Sequence, residues 1–129
     1  MKKTCVLLAA LILSTQSFAS VSATAKAFPA MGFPKTFFTV IGEHHINITN
    51  STKITQTYSY IYSLCPDARE CVTETRQITL ASGQTFTDGG KTTREVKYPV
   101  AGNYGLTAKT SIIGIENYEI TNKNNIEIN

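Results

Sequence analysis

Ile54-Thr55-Gln56-Thr57-Tyr58-Ser59-Tyr60-Ile61-Tyr62-Ser63-Leu64 decides the fold class. Tyr58, Tyr60, Tyr62 and Leu64 share one parity and Thr57, Ser59 and Ser63 the other, with Ile61 the exception. Period-two alternation among aromatic and β-branched residues belongs to a strand with one dry face and one wet face. The three tyrosine rings stack on one side of it; Leu64 in the same parity favours a core face, and an outward aromatic platform for carbohydrate or protein is the alternative.

The same signature extends in both directions. Upstream, Phe38 to Thr49 is the first strand candidate, with Val40, His44, Ile46 and Ile48 in phase before a turn at Asn50-Ser51-Thr52. Downstream, the connection Cys65 to Cys71 leads to a strand over Val72 to Ala81, and Ser82-Gly83 and Asp88-Gly89-Gly90 read as turns around a short segment at Phe86. Thr92 to Tyr98 is a strand ended by Pro99, Tyr104 to Thr110 is the next, and Gly114 breaks the pattern. Tyr118 to Thr121 and Ile126 to Ile128 are expected as an edge hairpin about a polar turn at Asn122 to Asn125. Glu119 and Glu127 would face out and blunt that edge. Residues 20–36 hold Pro29, Gly32 and Pro34, show no periodicity, and read as a flexible leader before a domain over 37–129. No helical periodicity occurs over a helical length. About seven short strands between turn signals predict an all-β chain, an antiparallel β-sandwich, with a small barrel as the competitor.

Ala101-Gly102-Asn103-Tyr104-Gly105-Leu106-Thr107-Ala108 favours the sandwich. It resembles the Gly-x-Tyr-x-hydrophobic entry into the penultimate strand of immunoglobulin-like domains. That resemblance implies a tyrosine corner, in which the Tyr104 hydroxyl turns back onto the preceding connection. Ile46 to Asn50 with Thr55 to Tyr60, and Leu80-x-x-Gly83, are similar to the first strands and a corner of exported modules of this kind. The inter-sheet cysteine pair and packed tryptophan of antibody domains have no counterpart here, since the chain contains no Trp and its two downstream cysteines lie close together. A superfold leaves function open.

Residues 1–19 read as a secretory signal peptide. Lys2 and Lys3 precede an apolar run from Cys5 to Leu13, and Ser17-Phe18-Ala19 offers small residues for cleavage; cleavage after Ala23 is the second choice. The run is about half the roughly 20 residues that a membrane-spanning helix needs, so no membrane anchor is expected after cleavage. Cys5 opens the run instead of following it, which argues against lipid attachment. The Met-Lys-Lys-Thr opening has a bacterial look, and the expected location is extracellular or periplasmic.

Export changes the composition. Of 12 basic side chains two leave with the signal, so 10 face 9 acidic ones and the formal charge falls from +3 to about +1. The remaining Lys and Arg are scattered singly, which argues against nucleic acid as a partner. Only Cys65 and Cys71 remain, and in an oxidising compartment they are expected to form a disulfide. Closing a ring of about 7 residues is worth about 2.4 kcal/mol in the chain-entropy model.

Chemistry finds little footing. His44 and His45 are adjacent in a strand and point to opposite faces, and the Cys-x5-Cys spacing lacks the further ligands of a zinc site. No Gly-x-Ser-x-Gly elbow occurs and no pair of carboxylates stands out. The chain is therefore expected to bind a protein or a carbohydrate without catalysis, metal or cofactor. The loop stapled by Cys65 and Cys71 would present Asp67, Arg69 and Glu70 at reduced entropic cost, and a simple hairpin staple is the alternative. A subunit of a surface appendage using strand addition, or a hydrolase inhibitor offering Arg69, are the other functional expectations. Two glycosylation sequons, at Asn47 and Asn50, are attributed to Asn- and Thr-rich composition.

Overall fold

Alternating side chains give each strand a buried face, and the chain satisfies them by closing two sheets on one another. The computed structural model describes residues 19–114 and 118–129, so all of the expected signal peptide except Ala19 lies outside the described residues. There are eight strands: β1 (Ser20–Ala27), β2 (Ala30–Gly32), β3 (Phe38–Thr49), β4 (Gln56–Pro66), β5 (Val72–Leu80), β6 (Thr85–Val96), β7 (Gly102–Ile113) and β8 (Tyr118–Ile128). One sheet has the order β1-β3-β6 and the other β2-β8-β7-β4-β5. All pairings are antiparallel except β2 with β8. This is an all-β sandwich of immunoglobulin-like type. The corner expected at its penultimate strand is present, with the Tyr104 hydroxyl donating to the Val100 carbonyl at 2.8 Å.

The core divides in two along the strands. Val40, Leu64, Val96, Tyr98, Leu106, Ile126 and Ile128 pack at one end. Ile46, Ile48, Tyr58, Tyr60, Tyr62, Leu80 and Ile112 pack at the other, so the tyrosine row is core as its parity with Leu64 implies. Between them lies a polar waist. The Thr110 hydroxyl there donates to the Thr24 carbonyl at 3.1 Å, and His44 stacks on Tyr62 with ring centres 3.5 Å apart.

Three expectations from sequence need correction. Residues 20–36 are no flexible leader: Ser20 to Ala27 pair with Thr49 to Gly42, and Ala30 to Gly32 pair with Ile126 to Ile128. Alternation was present in β1 but was carried by Val21, Ala23, Ala25 and Ala27, whose small apolar contrast hides it. Asp88-Gly89-Gly90 is no turn but the middle of β6. A Cβ on Gly89 would sit 2.9 Å from the His44 carbonyl oxygen, so the glycine serves close backbone approach.

Nor do Asn122 to Asn125 turn, and the terminal segment is one continuous strand instead of an edge hairpin. The asparagines meet a backbone need. The Ala27 N–H donates to the Asn122 side-chain oxygen at 2.9 Å and the Asn124 amide donates to the Ala27 carbonyl at 3.1 Å, where the chain leaves β1 for β2. The Asn50 sequon is likewise absorbed, because Asn50 is buried and its amide donates to the carbonyls of Ile54 and Leu80.

The waist is expected to give the fold a pH dependence. Burial holds the His44 imidazole below its ordinary range, against the opposing pull of Glu74 on β5 and Asp88 on β6. Tyr62 and Thr92 face it as neutral neighbours. A histidine whose folded pKa is lowered binds its proton more readily when unfolded, so stability declines as pH falls below about 6.5. Urea midpoints are expected to drop between about pH 7.5 and about pH 5.5, and His44→Gln to flatten that slope. An equal slope in the variant would show that other groups set it.

Candidate docking surface

At the end of the sandwich nearer Ile126 and Ile128, three connections meet: Phe33 to Phe37 between β2 and β3, Asp67 to Cys71 between β4 and β5, and Lys97 to Ala101 between β6 and β7. Tyr98 organises them. It is buried, its ring stacks on Tyr104 with centres 4.0 Å apart, and its carbonyl accepts the Lys35 N–H at 2.7 Å. Its hydroxyl donates to the Asp67 carbonyl at 2.7 Å. Burial pushes the Tyr98 phenol up, although the guanidinium of Arg69, 4.7 Å from the ring centre, draws it the other way. It stays a neutral donor at ordinary pH.

Cys65 and Cys71 are joined in a disulfide, as expected. The loop they close, however, spends most of its polar groups on the molecule itself. The Asp67 carboxylate accepts the Gly105 N–H at 2.6 Å, while the Asp67 N–H donates to the Gly105 carbonyl at 2.9 Å. Gly105 permits this approach, since a Cβ there would lie 2.9 Å from the carboxylate. Arg69 donates through Nε and Nη2 to the Lys97 carbonyl, at 3.1 and 2.5 Å, and through Nη1 to the Ala68 carbonyl at 2.7 Å. Glu70 is exposed and has no such bond among the described residues. Of the three residues singled out in this loop, Asp67 and Arg69 make bonds that tie the loop to its neighbours, and Glu70 makes none among the described residues.

Large apolar side chains protrude from this end. Phe33 is 61% exposed, Phe37 59% and Val100 62%, with Met31 at 64% on the flank one residue before Gly32. The Lys97 ammonium sits 4.5 Å over the Phe37 ring. Lys35 holds a left-handed backbone, φ 61°, at a turn where glycine or asparagine is the usual choice. Large apolar groups gathered at one exposed end are a mark of an interaction surface, whereas single ones are ordinary. The sequence did carry a signal for two of them: Phe33 and Phe37 lie in a stretch without alternation before β3, where a large apolar side chain has no strand face to occupy.

Elsewhere the polar side chains are arranged differently. His44 faces the interior and His45 the outer surface against Gly89, on opposite faces as their adjacency requires. Tyr60 donates a short hydrogen bond to Asp88, which Arg76 also meets at 3.1 Å. Burial, with the Asp88 bond added, pushes the Tyr60 phenol up to about 12. No group of three His, Cys, Asp or Glu side chains is placed to hold a metal ion among the described residues. A shallow groove of about 1000 Å3 runs past the Gly89-Gly90 pair, with His45, Lys26 and Lys91 among its lining.

No family model and no curated protein matches the sequence. Among solved structures, the chain is similar to the CARDB domain of a Pyrococcus furiosus protein, determined in complex with di-metal ions. The TM-score is 0.40 and the identity 9%, over 87% of this chain and 94% of that one. A Bordetella pertussis protein assigned as ApaA is similar at TM-score 0.38 and 15% identity, over 85% of this chain and 93% of that one. Likeness at this level carries no argument about chemistry or partners, and the docking surface stands on its own geometry.

Proposed function

We propose that this is an exported bacterial binding protein, without catalytic activity, that docks through the loop-built end of its sandwich. One observation carries the reading: Phe33, Phe37 and Val100 protrude together on loops fixed to a single buried tyrosine. Loops already ordered pay little entropy on docking. The disulfide supports work in an oxidising compartment. Signal cleavage after Ala19 would leave β1 whole, whereas cleavage after Ala23 would remove half of the strand that pairs with β3. Strand addition through Ile126 to Ile128 loses support, since there β8 lies between β2 and β7.

The test uses the chain from Ser20 onward, which contains every strand. It is mixed with cell-envelope material, sedimented and quantified. The parent protein is expected to be retained and the Phe33→Ser, Phe37→Ser double variant to remain in solution. Both side chains are exposed, so circular dichroism should show an unchanged fold. Equal retention of the two proteins would refute this end as the docking surface.

A further inference from the structure

Phe33, Phe37 and Val100 are more than half exposed, so they project from the protein instead of lining a cleft. Projecting apolar side chains need an apolar volume to enter. A folded protein partner would have to offer a pocket shaped for each, whereas the interfacial layer of a bilayer accepts them without a matched shape.

The cations at this end point the same way. Lys35 and Lys97 lie on the two loops that carry the apolar residues, and Arg69 lies on the third loop, bonded to the Lys97 carbonyl. None of them has a carboxylate within 4.0 Å among the described residues; the ion pairs there are Arg76 with Asp88, Lys91 with Glu43 and Lys109 with Glu119. Asp67, Glu70 and Glu95 are the nearby acids by position in the chain, and none forms an ion pair with these cations; the Asp67 carboxylate is held by the Gly105 N–H. Lys97 over the Phe37 ring keeps a cation beside an aromatic face, so the two would arrive together at neighbouring depths. The left-handed Lys35 holds its position by a backbone bond to Tyr98.

Resting on the assignment of this end as the docking surface, we propose that what it meets is an anionic phospholipid bilayer. Phe33, Phe37 and Val100 enter the boundary between headgroups and acyl chains, and the exposed Lys35 and Lys97 meet lipid phosphates. The contact is peripheral and reversible, because three side chains insert and no segment spans. The tyrosine-anchored loops bring both sets of groups to the surface without rearrangement.

Co-sedimentation of the chain from Ser20 onward with phosphatidylcholine vesicles, with and without phosphatidylglycerol, tests this. Binding is expected to phosphatidylglycerol vesicles, weak to phosphatidylcholine alone, and to weaken as salt rises. Lys35→Glu with Lys97→Glu should lower affinity for the anionic vesicles roughly tenfold or more. Phe33→Ser with Phe37→Ser should abolish binding to both. Absence of vesicle binding by the parent protein, or binding unchanged by the phenylalanine variant, would overturn the proposal. Retention on cell envelopes that protease treatment of those envelopes removes, without vesicle binding, would identify a protein occupant. In that case the lipid assignment falls while the docking surface stands; failure of the envelope test itself removes both.

Discussion

Asn50→Ala is expected to destabilise the fold by about 4 kcal/mol, a large share of the roughly 5–15 kcal/mol that holds a domain of this size. The side chain is buried and uses its full hydrogen-bonding capacity. Its amide donates to the carbonyls of Ile54 at 2.8 Å and Leu80 at 2.9 Å. Its oxygen accepts the Thr52 N–H at 3.0 Å, the Thr52 hydroxyl at 2.6 Å and the Tyr58 hydroxyl at 3.4 Å. The backbone on either side is engaged as well, with the Asn50 N–H on Gln84 and the Gly83 N–H on Asn50. Truncation leaves several of these groups buried and without partners, which costs more than the bonds are worth as a pair. Asn50→Asp is expected to be equally damaging, since a carboxylate oxygen would face two carbonyls. Urea unfolding followed by circular dichroism measures both. A loss below about 1 kcal/mol for Asn50→Ala would mean that water replaces the side chain.

Ile126→Ala is expected to cost about 2–5 kcal/mol and Ile126→Asp to prevent folding altogether. Ile126 is fully buried and packs in the cluster with Leu64, Tyr98 and Leu106, while pairing across to Ala30 and Tyr104. Were it part of an exposed edge hairpin, a charge there would be tolerated and would suppress self-association. Soluble, folded Ile126→Asp would restore that alternative. Glu127→Lys, one position along on the exposed face, is the control and is expected to change stability by less than about 0.5 kcal/mol.

Sequence patterns served well where alternation had high contrast. The limits of β3, the burial of Tyr58, Tyr60 and Tyr62, the opposed faces of His44 and His45, and the Tyr104 corner all follow from local chemistry that neighbours reinforce. Local signals misled where a residue answered a distant need. Gly89 and Gly90 resemble a turn, yet Gly89 is small to admit the β3 backbone. Asn122 and Asn124 also have turn chemistry, yet they serve the Ala27 backbone nearly a hundred residues earlier. Phe33 and Phe37 escaped notice as a surface because what gathers them with Val100 is a set of bonds to Tyr98, more than sixty residues away.

By itself the sequence determined an all-β chain with a β-sandwich core and a disulfide between Cys65 and Cys71, because strand alternation and a short cysteine spacing act over a few residues. Only the tertiary structure decided that residues 20–32 belong to the sheets, that the Asp67 and Arg69 side chains bond to neighbouring loops, and which side chains protrude at one end. Those outcomes depend on backbone groups and rings that meet only after the two sheets close, and no local pattern encodes which distant partner a polar group will find.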